Sequence, residues 1–355
     1  MIQRRTTRVI CVGPVRIGGD NPIVVQSMTK TDTSDVPATV QQIKELGYAG
    51  CRIVRVAVKD ERAAAALKEI VALSPVPIIA DIHFDWRLAL SSMDAGVAGI
   101  RINPGNIGAQ KRLLEIVKRA RQDNVAIRIG VNSGSLEKDL LRQYGGPSPH
   151  ALVESALNSI RLLEEWGYTN VKLSLKSTSV IDTIVAYRSI CEKTDYPLHV
   201  GVTEAGTIFR GAVKSSVGIG VLLSEGIGDT IRVSLTGNPV YEVICAYTIL
   251  SSLGLARRGV EVIACPTCGR TQMNIVSIAE EVERRLAGVD LPITVAVMGC
   301  EVNGPGEARE ADVGICGGRN YGLLFRKGKI IRKLKEEEMV DALMEEIQKI
   351  VGTKG

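Results

Sequence analysis

The chain has 355 residues, longer than one ordinary domain and long enough for a large barrel with a smaller companion. Apolar residues make up 45% and charged residues 23%, which fits a folded globular chain and excludes a disordered one. The 44 basic and 39 acidic residues leave a formal charge of +5, too small an excess to matter unless the cations are focused. An aromatic content of 4% argues against a surface that stacks nucleic-acid bases. No apolar run approaches the roughly 18–20 residues of a membrane span, and the opening MIQRRTTRVI lacks the apolar core of an export signal. The expectation is a cytoplasmic protein. Eight cysteines are too few and too unevenly spaced for a disulfide framework, and a reducing compartment keeps them as thiols or metal ligands.

From the amino end, short β-branched runs recur, each followed by a helical stretch: PIVVQSM, CRIVRVAV, PIIADIHF, GIRINPGN, AIRIGVNSGS, NVKLSLKST, PLHVGVTEAG and TIRVSLTG. Amphipathic segments such as ERAAAALKEIVAL and KRLLEIVKRARQD lie between them, several closed by a glycine suited to a helix C-cap. Eight strand–helix repeats in about 250 residues specify an α/β fold, a TIM (β/α)8 barrel over residues 1–257, with a doubly wound sheet as the alternative. The longest interval, between the fifth and sixth strands, holds LEKDLLRQYGGPSPH, which reads as a loop inserted on the catalytic face. The last barrel helix is expected at roughly 238–255. After GLARRG the pattern changes to VEVIACP, a helix near 272–287, ITVAVMG, the short strands ADVGICGG, YGLLFRKG and KIIRKLK, and a charged terminal helix. Residues 258–355 therefore read as a smaller α+β domain.

Barrel strands are ordinarily Val and Ile, yet these carry cations and amides near their C-terminal ends. Side chains alternate along a strand with period two, so Lys172, Ser174 and Lys176 share one face of the sixth strand, and Arg232 and Ser234 one face of the eighth. Arg55, Arg101 and Arg128 sit similarly on the second, fourth and fifth strands. A cation pointing into a barrel must be paired or meet a ligand, because an unpaired buried ion costs several kcal/mol. Asp81 and Glu204 are the main carboxylates at matching strand ends, too few for six cations. A single Arg could lie outward against a helix carboxylate, but six together call for an anionic ligand at the mouth. A phosphate or diphosphate gripped by guanidinium forks fits best. The loop NPGNIG adds backbone N–H groups at a helix start, a second anion-friendly feature.

Cys265 and Cys268, in ACPTCGR, form a C-x2-C turn that aims two sulfurs at one point, which suits zinc, an iron–sulfur cluster or a redox disulfide. A zinc ribbon wants a second such pair, whereas Cys300 and Cys316 stand alone, so zinc loses ground. Cys265, Cys268 and Cys300 each lie at or just beyond a strand tip and can converge. The fourth ligand stays open. Cys316 alternates with apolar residues as a bland buried thiol would, and Glu307, just after the NGPG turn, offers a carboxylate instead. Cys11, Cys51, Cys191 and Cys245 read as small core or surface residues, and His150 and His199 take no assigned role.

The strings GCEVNGPGEAREADVGICGG, CPTCGR, RIGVNSGSL and VQSMTKTDT resemble the bacterial 4-hydroxy-3-methylbut-2-enyl diphosphate synthases of the non-mevalonate isoprenoid pathway, over essentially the whole chain. The resemblance implies an iron–sulfur oxidoreductase whose second domain carries one 4Fe-4S cluster per chain, held by Cys265, Cys268, Cys300 and Glu307. It implies 2-C-methyl-D-erythritol 2,4-cyclodiphosphate at the barrel mouth, reductive ring opening with loss of a hydroxyl as water, and reduced flavodoxin or ferredoxin as electron donor. Arg55, Arg101, Arg128, Asn132, Lys176, Arg232 and Ser234 match the residues that hold the diphosphate, and Glu204 the one that works at the hydroxyl carbons. The departing hydroxyl needs a proton, for which Glu204 is the candidate donor and His83 the weaker one. The plain alternatives are a salt bridge for Glu204 and a structural role for His83. Another iron–sulfur reductase of a phosphorylated small molecule, a zinc-ribbon nucleic-acid or scaffold protein, and a simple electron carrier are the competing readings.

In a TIM barrel the catalytic face lies at the C-terminal strand ends, and each helix runs back to the opposite face. The last barrel helix thus delivers the chain to the far side, and ARRGVEV is a short linker. The expectation is a head-to-tail homodimer in which the cluster domain of one chain serves the barrel of the other, and the resemblance points the same way. Neither nucleic acid nor membrane is an expected partner.

Overall fold

The computed structural model describes residues 2–103, 110–286, 289–300, 306, 308–319 and 321–352. Two compact units divide the chain, Met1–Ala256 and Arg257–Gly355. No helix among the described residues is long and apolar enough to cross a membrane.

The first unit opens with a hairpin, β1 (Ile10–Val12) and β2 (Val15–Ile17). Eight strands follow: β3 (Val24–Met28), β4 (Ile53–Ala57), β5 (Ile78–Asp81), β6 (Gly99–Ile102), β7 (Ala126–Asn132), β8 (Val171–Lys176), β9 (His199–Val200) and β10 (Thr230–Ile231). All pair in parallel, in chain order from β3 to β8, with β10 between β3 and β9. A parallel bridge from Leu173 to Leu198 joins β8 to β9 and closes the ring. The helices are α1 (Val36–Tyr48), α2 (Glu61–Leu73), α3 (Trp86–Asp94), α4 (Gln110–Asp123), α5 (Lys138–Gln143), α6 (Pro149–Glu165), α7 (Val180–Cys191), α8 (Ile208–Ser224) and α9 (Val240–Ser252). This is the TIM (β/α)8 barrel.

Five of the helix starts have a local cause in a capping side chain. The side chains of Asp35, Asp60, Asp85, Ser148 and Ser179 each accept from a backbone N–H in the first turn of α1, α2, α3, α6 and α7. Such caps contribute about 1 kcal/mol apiece and fix where each helix begins. Along the strands, Val54, Val56, Ile127, Ile129, Leu173 and Leu175 turn outward into the main core under the helices. Their inward neighbours differ with height. At the N-terminal end Val24, Ile53, Ile79 and Ala126 meet Ile10, Val12, Val15 and Ile17 of the hairpin in a separate apolar cluster. The hairpin therefore plugs the bottom and leaves the C-terminal strand ends as the open face.

The second unit is a five-stranded sheet in the order β11 (Glu261–Ala264), β12 (Thr294–Met298), β13 (Val313–Gly318), β14 (Tyr321–Arg326) and β15 (Lys329–Leu334). The first three run parallel and the rest antiparallel. Helices α10 (Ile275–Leu286) and α11 (Met339–Gly352) share one apolar cluster with Val295, Val297, Val313 and Ile315. Cys316 faces the other way, 1% exposed among Ala296, Met298, Ala311 and Phe325.

Candidate active site and metal centre

Above the apolar plug the barrel interior turns polar. Register makes Asp81, Arg101, Arg128 and Lys172 cross-strand neighbours on β5, β6, β7 and β8, and Asn132 and Lys176 pair nearer the mouth. Arg101, Arg128, Lys172 and Lys176 are all buried. Asp81 accepts from Arg101 Nη1 at 3.3 Å and lies 3.5 Å from Arg55 Nε. Burial alone would raise the Asp81 carboxyl, but Arg55, His83, Arg101 and Arg128 outweigh it and hold the group well below the usual carboxylate range. Gly130 makes the row possible. A Cβ there would stand 2.4 Å from Arg101 Nε, while its carbonyl accepts from Arg101 Nη2 at 3.2 Å.

Arg232 has a different acid. Glu242, in the first turn of α9, is a fully buried carboxylate that accepts from Arg232 Nε at 3.1 Å and Nη2 at 3.0 Å, Ser27 Oγ at 2.8 Å and the Leu235 N–H at 3.1 Å. Lys30 Nζ adds an ion pair at 3.3 Å. Arg232 Nη1 also donates to Ser234 Oγ at 2.9 Å. The expectation that Glu204 is the second strand-end carboxylate for these cations is corrected here. Glu204 is exposed in the loop after β9, whereas the acid bonded to Arg232 is Glu242 of α9. Glu204 also has φ +51°, which costs a non-glycine residue about 1–2 kcal/mol.

Two cations, Arg128 and Lys172, keep more of their charge unmet. Arg128 Nε and Nη1 and Lys172 Nζ are buried without a hydrogen-bond partner among the described residues. Burial first, then repulsion from neighbouring cations, pushes Arg128, Lys172 and Lys176 well below their ordinary values. His83, exposed at the rim, lies with Nε2 3.1 Å from Arg101 Nη1. The same Nε2 lies 3.6 Å from Asp81 Oδ2, so the ring sits between a donor and an acceptor. The structure thus brings Arg55, Arg101, Arg128, Asn132, Lys176, Arg232, Ser234 and His83 to one interior and its rim, with Glu204 on an adjoining loop. The NPGNIG loop lies, beyond Asn103, outside the described residues.

In the second unit the CPTC loop is tied to the end of β12. The Gly299 N–H donates to Cys265 Sγ at 3.2 Å, and its carbonyl accepts from the Gln272 N–H at 3.0 Å. The Arg270 N–H lies 3.4 Å from Cys268 Sγ and, with the Arg270 and Thr271 side chains, lowers that exposed thiol from its ordinary value. Thr267, between the cysteines, has φ +63°. Cys300 follows Gly299 directly, so Cys265 and Cys300 stand just beyond the tips of two adjacent parallel strands, with Cys268 in the loop after the first. Among the described residues no three His, Cys, Asp or Glu side chains close to the spacing of a single ion. Three cysteines in one region, with backbone N–H donors on the Cys265 and Cys268 sulfurs, are ligand chemistry that suits an iron–sulfur centre. Glu307 lies outside the described residues.

The model described as the GcpE TIM-barrel domain matches residues 7–247, and that of the GcpE protein C-terminal domain matches residues 261–349. The chain belongs to the GcpE family. Relatives of this GcpE chain include the 4-hydroxy-3-methylbut-2-en-1-yl diphosphate synthase (flavodoxin) of Geobacter sulfurreducens, 58% identical over 348 residues, 98% of this chain and 99% of that one. The protein of the same name from Maridesulfovibrio salexigens is 59% identical over 355 residues, 100% of this chain and 99% of its own. A solved dihydropteroate synthase from Stenotrophomonas maltophilia, 12% identical, superposes with a TM-score of 0.51 over 70% of this chain and 98% of its own, a likeness of fold alone. Sequence reasoning about the GcpE barrel missed Glu242 and Gly130. An acid opening the apolar helix VYEVICAYTILSS was the available signal for the first; nothing marked the second.

Proposed function

We propose that this chain is a flavodoxin-dependent 4-hydroxy-3-methylbut-2-en-1-yl diphosphate synthase, an iron–sulfur oxidoreductase that reductively opens 2-C-methyl-D-erythritol 2,4-cyclodiphosphate and removes one hydroxyl as water. The observation that carries this reading is the unbalanced barrel interior, where Arg55, Arg101, Arg128, Lys172, Lys176 and Arg232 face, among the described residues, only the acids Asp81 and Glu242. A diphosphate supplies the missing negative charge. The near-full-length relatives carry the name of this activity and of its donor, with ferredoxin the alternative donor.

In this reading Arg55, Arg101, Arg128, Asn132, Lys176, Arg232 and Ser234 hold the diphosphate, with Asp81 and Glu242 fixing the guanidinium planes. Glu204 is the donor of the proton to the departing hydroxyl, with His83 the weaker candidate for that role. Cys265, Cys268, Cys300 and Glu307 hold one 4Fe-4S cluster, a hard carboxylate leaving its iron exchangeable where a fourth thiolate would not. When bound, that cluster supplies single electrons and a Lewis-acidic iron. The chain works in the cytoplasm as a head-to-tail homodimer, each site taking its barrel from one chain and its cluster from the other. Supporting this are the short connector, residues 253–260, and an exposed apolar strip of Phe209, Val213 and Val217 along α8 that a second copy would cover.

Anaerobically purified protein should be brown, and a colourless preparation with bound zinc would overturn the reading. Cys316→Ser should keep the cluster; if it loses the cluster while Glu307→Ala keeps it, Cys316 is the ligand. Mixing Glu204→Ala with Cys265→Ser under subunit exchange should restore about a quarter of wild-type sites in a head-to-tail dimer. Pairing of each cluster with its own barrel would restore none.

A further inference from the structure

The row Asp81, Arg101, Arg128, Lys172 carries its acid at one end and three bases after it. Arg101 shares Asp81 with Arg55, so the acid is used up before Lys172 is reached. Because Val171, Leu173 and Leu175 point into the outer core, Lys172 points inward, where it is 1% exposed and Nζ has no hydrogen-bond partner among the described residues. The charged and titratable groups that face it are Arg128 from β7, Arg55 from β4, His199 from β9 and Lys176 on its own strand. His199 is itself buried, with Nδ1 2.6 Å from Thr230 Oγ1 and no hydrogen-bond partner on Nε2 among the described residues. None of these groups is an acid. Below lies the apolar hairpin cluster.

We propose that Lys172 is a reserve charge of the diphosphate site: an uncharged amine in the free barrel that takes a proton from solvent when a diphosphate enters. The proposal rests on the proposed function for the ligand's identity and on the row's geometry for the residue. An amine surrounded by cations and walled off from water is stable only without its proton, and burial and repulsion by Arg128 and Arg55 act in that direction. Phosphate oxygens arriving on Arg128 reverse the sign of the local field, and the ammonium then becomes the favoured form. The balance is one amine and one solvent proton giving one ammonium, with no bond to the ligand broken or made. Lys172 is thus a positioning residue acting through Arg128. A site that gains charge only when occupied avoids most of the cost of an unpaired buried ion while empty.

The test is titration calorimetry of the holoenzyme in buffers of different ionisation enthalpy, with inorganic pyrophosphate and the cyclic diphosphate as probes. Near pH 8, wild type should take up about one proton more per site than Lys172→Met, and Lys172→Arg, whose charge is permanent, should bind pyrophosphate while also lacking that proton. If Lys172→Met does not fold, Lys172→Arg carries the comparison alone. A folded variant that takes up as many protons as wild type overturns the proposal while leaving the proposed function standing. Pyrophosphate binding with the extra proton, alongside no binding of the cyclic diphosphate, would support Lys172 and sink the proposed function.

Discussion

Glu242→Ala is the substitution whose consequences can be worked furthest. It deletes a carboxylate with a fully buried side chain and strands two Arg232 N–H groups, the Ser27 hydroxyl and the Leu235 amide. Breaking a buried pair from one side costs about 3–5 kcal/mol, because the remaining charge has no water to turn to. For a unit of this size each kcal/mol moves Tm by about 2–4 °C, so the barrel transition should fall by roughly 6–20 °C in scanning calorimetry. Most of that loss belongs to the abandoned cation. In an Arg232→Met background the same substitution should therefore cost at least about 2 kcal/mol less. Pyrophosphate should also restore Glu242→Ala more than it stabilises wild type, since its charge meets the stranded guanidinium. A loss under about 1 kcal/mol, or an equal loss in the Arg232→Met background, would refute the pairing.

Gly130→Ala should displace Arg101, because its Cβ would stand 2.4 Å from Arg101 Nε; overpacking of this kind costs about 1–3 kcal/mol, read by urea denaturation, and pyrophosphate affinity should fall with it. Asp81 has a folded-state pKa depressed below its unfolded value, so its stabilisation is present at neutral pH and is lost as pH falls below about 4 toward the folded value. Asp81→Asn should lower stability at neutral pH and flatten the acid limb of the stability profile, and an unchanged acid limb would count against the assignment. Replacing Arg55, Arg101, Arg128 or Lys176 by Met should weaken diphosphate binding about 10-fold or more in calorimetry while leaving the visible cluster spectrum unchanged. Loss of colour with binding intact would reverse the division of labour between the two units.

The eight barrel strands were legible because each is a β-branched run bounded by Gly, Pro or capping residues. The hairpin that plugs the barrel was not, since strands of three residues, ICV and VRI, carry too little alternation to detect. The final helix is shorter than its apolar pattern. Asn238 Oδ1 accepts from the Val240 N–H at 2.9 Å to start it, and Gly254, at φ +66°, lies beyond its end. The interval read as an inserted loop contains the short helix α5 before Gly145 and Gly146, both with positive φ. Period-two alternation showed that Lys172, Ser174 and Lys176 share a face. It could not show that Lys172 continues a row from Asp81 through Arg101 and Arg128, because register across strands is a property of the closed ring. Glu242 was hidden for a related reason: its partner Arg232 lies ten residues earlier, just past the end of β10, and only the turn back into α9 brings the two together.

The most direct test of the central claim is anaerobic turnover, with cluster-loaded protein, reduced flavodoxin and 2-C-methyl-D-erythritol 2,4-cyclodiphosphate followed by phosphorus NMR. The expected result is replacement of the cyclic diphosphate resonances by those of 4-hydroxy-3-methylbut-2-enyl diphosphate, with conversion falling sharply in Arg128→Met although its cluster spectrum is unchanged. Intact, reducible cluster with no product from the cyclic diphosphate, or undiminished conversion by Arg128→Met, would contradict it.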